Sequence, residues 1–373
     1  MRYNVCIIGG GAAGLAAAAS LDDGISVCVV EKNRIPGRKI LATGGGRCNL
    51  TNEACEEKQL TMDFFACLGM KFCRDSEGRY YPYSEKASDV VDILTSGIGE
   101  NTDFYFESQA ASVECSNKDG DTGFLVKCHG DGKQAIEADC VIISPGGKAA
   151  PQYGSTGDGY AFASGFGHKV NRLYPILAGI CCDREGFDFS EVKGVRAKAA
   201  VKLLKDGKPV EGAYQTGEVQ FTEYGLSGIC IFNLTPFVRA ENGEDFRDAV
   251  KRYSISADFA PDFSEDELRY RQDWFGIVTK KLSDRINGAD IKNIVFDVTG
   301  VRGWKDAQCT GGGVSTDEID SNTMESKLIP GLYFAGEILD IQGPCGGFNL
   351  QNAWETGIKA AKAINRRLLK YGL

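Results

Sequence analysis

The stretch that most restricts how this chain can fold is its opening thirty-one residues. Tyr3–Ile8 is apolar and β-prone, Gly9, Gly10 and Gly11 follow directly, and Gly14 comes three residues later. Leu15–Leu21 is rich in alanine, the strongest helix former, and Gly24 stops it. Ile25–Val30 reads as a second strand that ends at Glu31. This is G-x-G-x-x-G in the context that gives it meaning: strand, tight turn, helix, strand, acid. Gly9 permits the sharp turn, Gly11 lets the backbone approach a pyrophosphate, and Gly14 lets the helix lie close on the sheet. The helix start offers unpaired N–H groups and the positive end of its dipole to phosphates. Glu31 is placed to accept hydrogen bonds from ribose hydroxyls, and its charge opposes a 2′-phosphate. The motif predicts dinucleotide binding without separating FAD from NAD.

A chain of 373 residues exceeds one ordinary core and implies two domains, one inserted in the other. Residues Asn33–Asn52 hold too many glycines for a helix and alternate too little for a strand. They read as a loop, with Gly44–Gly46 beside Arg47 and Asn49 suggesting backbone pressed close to a ligand. Asp63–Leu68 and Ser84–Ile98 read as helices. Asp103–Phe106, Ala111–Cys115 and Phe124–His129 read as strands, with a turn at Asp119–Gly123. Ala138–Ile143 is a buried strand that runs into Pro145-Gly146-Gly147, the kind of carboxyl edge where a ligand crosses a parallel sheet.

From about Asn171 the pattern changes. Short alternating runs at Ala178–Cys182, Ala199–Lys205, Glu218–Thr222 and Ser254–Phe259, with a turn at Lys205–Pro209, predict an antiparallel barrel or sandwich. Ser264–Asn287 has an N-cap serine, early acids and late bases, and reads as one helical segment. Near the end, Leu332–Ala335 is a short strand, Gly336–Gln351 is glycine-rich, and Asn352–Leu369 is a helix. This repeats strand, glycine turn and helix start without the dinucleotide spacing. Asp340 is placed to hold ribityl hydroxyls, and the N–H groups of Asn349–Gln351 to face a flavin pyrimidine edge. There the helix dipole would stabilise charge on a reduced flavin.

A net charge of −9 argues against a nucleic-acid partner and provides no polybasic membrane patch. The apolar run Cys6–Leu21 behind Arg2 resembles a signal peptide, but glycines interrupt it and a strand continues it. No run approaches membrane-spanning length. The 14 cysteines form no disulfide framework; Cys6, Cys28 and Cys140 sit in apolar strands as small hydrophobes. These features predict a reducing, cytoplasmic location. Two histidines and scattered thiols lack metal-ligand spacing, so no metal is expected. No obligate protein partner is evident.

The strings Gly9–Gly14, Gly37–Asn52, Gly217–Gly228, Thr310–Thr316 and Gly331–Gly357 resemble a family of bacterial and archaeal FAD flavoproteins. That family is labelled aminoacetone-oxidase-like or NAD(P)/FAD-dependent oxidoreductase, and it includes a bile-acid-inducible relative. The likeness spans nearly the whole chain. It implies an α/β fold: a glutathione-reductase-like Rossmann domain formed by residues 1–171 and 295–373, with a β-rich domain inserted at 172–294 and a helical segment at 264–287. It implies FAD contacts at Glu31, Arg38, Lys39, Gly336, Asp340 and Asn349–Gln351. Extended along the same segments, the candidate set adds Gly9, Gly11, Ala13 and Gly14, then Lys32, Gly45, Gly46, Arg47, Cys48 and Asn49. It also adds Val113, Gly146, Gly147, Glu337, Gly347 and Phe348, with Asn349, Leu350 and Gln351 closing it. Two departures from the family pattern are an abbreviated helical part in the insert and Cys345.

The expected function is an FAD-dependent oxidoreductase acting on a small organic substrate between flavin and insert, with NAD(P)H as a transient co-substrate. Arg47 and Asn49 are the candidates for polarising substrate or flavin. The alternative is a non-redox FAD or dinucleotide-binding sensor or assembly module. A flavin disulfide reductase is disfavoured: no C-x-x-C or C-x-x-x-x-C occurs, and Cys181 and Cys182 on one strand point to opposite faces. His129 and His168 read as structural, and Cys48 as packing.

Overall fold

The computed structural model describes residues 2–118, 121–129, 134–241, 243–286 and 288–370. The chain divides into two compact units, residues 1–174 with 309–373, and residues 175–308.

In the first unit, strand Arg2–Ile8 lies between Val27–Val30 and Gln134–Ile143, all parallel. Thr102–Tyr105 extends this sheet beyond the second strand, and Leu332–Phe334 joins it beside Gln134–Ile143, both parallel. These strands are continuous hydrophobic runs because both sheet faces are covered. Val5, Cys6, Ile7, Cys28, Val29 and Val141–Ile143 are almost wholly buried. Strands Asp121–His129 and Gln109–Lys118 continue antiparallel as a hairpin. The turn expected at 119–123 lies partly outside the described residues. Helix Ala12–Ala18 follows the first glycine turn, and the closing helix Phe348–Lys370 packs on it. A Cβ on Gly357 would stand 2.3 Å from the Ala13 carbonyl oxygen, so only glycine allows that approach.

The second unit is a closed six-stranded antiparallel barrel. Strands Arg196–Lys205 and Lys208–Thr222 form its longest hairpin. Asp206 and Gly207 make the turn at φ +51° and +75°, the left-handed pair that matches strand twist. Phe187, Phe189, Phe221, Phe259 and Phe296 fill the interior with rings 4.9–6.4 Å apart.

Three expectations change. The insert does not end at 294, since Ile294–Val301 pairs with Ile180–Asp183 and Tyr253–Asp258 to close the barrel. Its alternating burial belongs to a barrel wall, so the unit runs from 175 to 308, not 172 to 294. Segment 264–287 is not one helix, and its residue 287 lies outside the described residues. Glu265–Leu268 starts with a Ser264–Glu267 capping box, and Lys280–Arg285 is a separate turn capped by Thr279. Between them Gly276 takes φ +93° and Trp274 anchors to Ala289 and Ser283, which a continuous helix could not accommodate. Third, the loop at 33–52 contains a short helix, Arg38–Ala42, ahead of left-handed Gly44, Gly45 and Gly46.

Candidate functional site

At the first glycine turn the backbone itself explains the glycines. A Cβ on Gly14 would lie 1.9 Å from the Gly9 carbonyl oxygen, and one on Gly9, at φ +101°, would lie 2.6 Å from that of Ser144. Gly11 is different: nothing lies within 4 Å of its Cβ position, and its extended backbone would tolerate a side chain. The space above Gly11 is open beside the helix start. Glu31 is 7% exposed. Its Oε2 accepts from the Gly10 N–H at 2.8 Å, and its Oε1 accepts from Asn33 N and Nδ2 at 2.7 and 2.6 Å. The carboxylate is thereby fixed against the turn with lone pairs to spare. Lys32 pairs with Asp158 at 2.7 Å. Arg38 donates to Asn33 Oδ1 and to the Gln152 carbonyl. Ala13 is buried, and Gly336, at φ +81°, must lack a side chain because its Cβ would meet that of Ala13 at 2.9 Å.

A second cluster joins three further candidates. Lys39 Nζ pairs with Glu337 Oε2 at 2.6 Å, while Glu337 Oε1 accepts from Thr310 N and Oγ1, both at 2.9 Å. Thr310 Oγ1 in turn accepts from the N–H groups of Lys148 and Ala149. Gly147 is walled in by this group: a Cβ there would stand 2.4 Å from Thr310 Oγ1. Gly146 turns the chain at φ +80°. Burial opposes the Lys39 ammonium, but Glu337 beside it more than offsets this and leaves Lys39 above its ordinary value.

The closing turn brings together residues from opposite ends of the chain. A Cβ on Gly347 would lie 2.7 Å from Asn49 Oδ1 and from the Thr51 backbone. Asn49 is 8% exposed, and its Oδ1 is buried without a hydrogen-bond partner; Gln351 Oε1 is likewise unpartnered. Two expectations are corrected here. The helix starts at Phe348 rather than Asn352, because Gly347 at φ +106° opens it a turn earlier. The Gln351 N–H is consequently bonded to the Gly347 carbonyl, and the Asn349 side chain closes the turn onto Gly343 and Pro344. Phe348 and Leu350 are half-buried in the same turn. Asp340 accepts from Asn171 Nδ2 at 2.6 Å and from Gln342 Nε2.

Gly45 and Gly46 are left-handed with nothing within 4 Å of their Cβ positions. Arg47 lies over the Tyr81 ring, 4.5 Å from its centroid, and 3.7 Å from Glu85. Cys48 is fully buried at φ +60°, and burial pushes its thiol up to about 12; burial does the same for the half-buried Cys345. Neither is an activated nucleophile. Val113 pairs with Val126 on the antiparallel hairpin and packs half-buried against the sheet core. His168 is buried, bonded through Nδ1 to Glu318 at 3.1 Å and through Nε2 to Ser326 at 2.8 Å. His129 ends its strand, exposed. Among the described residues no cluster has metal-ligand geometry, no disulfide joins the cysteines, and no helix is long and apolar enough to cross a membrane.

Sequence reading missed Asn33, Asn171 and Thr310 as parts of this site. Thr310 opens the string T-G-G-G-V-S-T, which stood out without a role. Asn33 and Asn171 carry no local signal; only the folded chain sets them beside Glu31 and Asp340.

A parallel sheet with a glycine turn, a fixed acid and a second glycine turn at its carboxyl edge defines a dinucleotide-binding protein of the Rossmann class. The profile of the HI0933-like protein Rossmann domain matches residues 3–62 and 56–363, and the chain belongs to that family. It is 33% identical to a 3-dehydro-bile acid delta(4,6)-reductase of Clostridium scindens, over 97% of this chain and 98% of the relative. It is 28% identical to a ribosomal RNA dihydrouridine synthase of Escherichia coli, over 97% and 98%. Its fold is shared with a 3-ketosteroid-delta4-(5alpha)-dehydrogenase of Rhodococcus jostii RHA1 solved with 4-androstene-3,17-dione. That match has TM-score 0.52 and 14% identity, and covers 98% of this chain and 97% of the other. A flavocytochrome c3 fumarate reductase matches at TM-score 0.51 and 16% identity, over 100% and 79%.

Proposed function

We propose that this chain is an FAD-dependent oxidoreductase that reduces a carbon–carbon double bond conjugated to a carbonyl in a small organic substrate. The observation that carries the cofactor reading is Glu31, held by Gly10 and Asn33 against a turn whose Gly11 faces open space. The open left-handed glycines Gly45 and Gly46 and the unpartnered Asn49 and Gln351 acceptors fit a second, polar part of the same ligand. Glu31 would hold the adenosine ribose, the glycine turn the pyrophosphate, Asp340 the ribityl chain, and the closing turn with Asn49 the ring. When bound and reduced with two electrons from NAD(P)H, the flavin would supply hydride to one carbon of the double bond, and a proton would complete the other.

The substrate class is supported by two relatives' names. A 3-oxo-Δ4,6 bile acid and uridine both present a double bond conjugated to a carbonyl, and both names describe its reduction. The acidic chain favours the small molecule over ribosomal RNA. NAD(P)H is the proposed electron donor, and cysteines outside any disulfide suit a reducing compartment.

The test begins with the purified protein and the mass of any cofactor it releases, expected to be FAD. The flavin is then reduced anaerobically with dithionite and mixed with 4-androstene-3,17-dione or cyclohex-2-enone. Return of the oxidised flavin spectrum with loss of the double bond is expected. Protein that refuses FAD, or reduced flavin left untouched by every conjugated ketone, overturns the reading. Reduction by NADH or NADPH in place of dithionite identifies the donor, and dihydrouridine formed in rRNA would move the substrate to nucleic acid.

A further inference from the structure

The string Gly217–Gly228 has no part in the cofactor site, and the barrel shows what it builds. It supplies the strand Lys208–Thr222, a tight turn at Glu223-Tyr224, and the strand Gly225–Ser227. Gly225 and Gly228 are glycines for packing: a Cβ on either would come within 2.5 Å of backbone atoms of Cys182, Ile180 or Glu218. Tyr224 is not explained that way. Its phenol lies directly over Gly179, where a Cβ would stand 2.5 Å from the hydroxyl oxygen. The Arg302 guanidinium covers its ring, 4.7 Å from the centroid. The Arg302 backbone N–H bonds the Gly179 carbonyl, and its side chain pairs with Asp306 at 2.8 Å.

Two polar groups in this cluster lack partners. Arg302 Nε is buried with none, and the hydroxyl of half-buried Tyr224 makes no hydrogen bond to any described residue. A buried guanidinium N–H without an acceptor is costly, and an unsatisfied donor in a native fold calls for an explanation. The adjoining chain is strained as well: Leu177, buried, holds φ +53° and is fixed by Thr235 Oγ1 and the Gln308 N–H. Strain of this kind persists only where surrounding structure imposes it, and it gathers at functional sites.

We infer that Tyr224 and Arg302 form a binding site on the barrel for a neutral carbonyl oxygen of an organic ligand. Arg302 Nε–H can only donate and the Tyr224 hydroxyl can donate beside it, so a ligand atom that takes both bonds must be an acceptor. Asp306 already neutralises the guanidinium, so a ketone oxygen suits the pair better than a carboxylate. The inference takes its ligand class, a ketone, from the proposed function, and it concerns the barrel by itself.

The test uses full-length, FAD-loaded protein titrated calorimetrically with 4-androstene-3,17-dione, comparing the parent with Tyr224→Phe, Arg302→Gln and the double variant. Each single variant should weaken binding about tenfold, the value of one lost hydrogen bond to a buried carbonyl, with FAD content and melting temperature unchanged. The double variant should lose less than the product of the two. If Tyr224→Phe does not fold, Arg302→Lys, which keeps the charge and removes Nε, carries the same expectation. Equal affinity across parent and variants overturns the site, as does a parent that binds no ketone. Should such a parent still pass electrons from its reduced flavin to cyclohex-2-enone, the oxidoreductase reading stands and the carbonyl site alone falls.

Discussion

At Gly14 the atom that forbids a side chain is the carbonyl oxygen of Gly9, five residues back. At Gly347 the forbidding atoms belong to Asn49 and Thr51, from the other end of the chain. Both turns deliver a strand into a helix start, yet Gly14 is closed off by the backbone of its own turn and Gly347 by a distant loop. The first turn satisfies its polar groups internally, with Glu31 locked by Gly10 and Asn33. The second leaves Asn49 Oδ1 and Gln351 Oε1 buried and unpartnered. A turn whose constraints are local forms in any relative that keeps the motif. A turn assembled from remote segments leaves acceptors without protein partners, and under the proposed function these are the groups that would meet the cofactor ring.

The largest effect should come from Gly14→Ala. The 1.9 Å approach is to backbone, which cannot rotate away, so unfolding free energy should fall by about 3 kcal/mol or more in chemical denaturation. A smaller loss would mean that the first turn yields as readily as the second. Next is the link between the turns. Lys39→Met leaves the Glu337 carboxylate without its cation. Both side chains are about a quarter exposed, so we expect about 1–2 kcal/mol rather than the full cost of a buried charge. Because Glu337 raises the Lys39 pKa, this stabilisation is complete below the unfolded value near 10.5 and is lost as pH rises through the folded one. Denaturation of parent and variant should therefore converge in strong alkali.

Smaller still are two substitutions that separate folding from ligand binding. Gly11→Ala meets open space, so stability without flavin should stay within about 0.5 kcal/mol while flavin affinity drops about tenfold. Asn49→Ala removes an unsatisfied acceptor. Flavin-free stability should change by less than about 1 kcal/mol, with a clear loss of affinity in fluorescence titration. If Asn49→Ala weakens the flavin-free and flavin-loaded protein equally, the contrast between the two turns disappears. A last effect lies outside both turns. Burial lowers the His168 pKa against the opposing pull of Glu318, so the unfolded chain takes up its proton near pH 6.5 before the folded one does. Stability should fall as pH drops from 7 to 5, by at most about 1.4 kcal/mol per unit from this group, and His168→Asn should flatten that part of the profile.

Much of the nucleotide unit was legible because its signals are local. Tyr3–Glu31 states its own strand, turn and helix, and the buried strand at 138–143 announces itself by an unbroken apolar run. The barrel's existence was legible from alternation, but its end was not. Ile294–Val301 has the same period two as any strand, and only its pairing with Ile180–Asp183 assigns it to the barrel. The helix at 264–287 failed for a related reason: the cap at Ser264 was readable, but the break depends on Trp274 reaching Ala289 and Ser283.

The amino-acid order alone decided the opening strand–turn–helix, because the apolar run, the glycines and the alanine-rich helix follow one another directly along the chain. It also decided the two-part α/β and antiparallel organisation, because side-chain period tracks which faces are buried. What only the tertiary structure decided is which groups meet: Lys39 with Glu337, Asn49 with Gly347, Asn171 with Asp340, Arg302 with Tyr224. Each pair joins segments that touch only after the sheet or the barrel has closed. Hydrogen bonds and charge pairing act over a few ångströms, so no spacing along the chain encodes them.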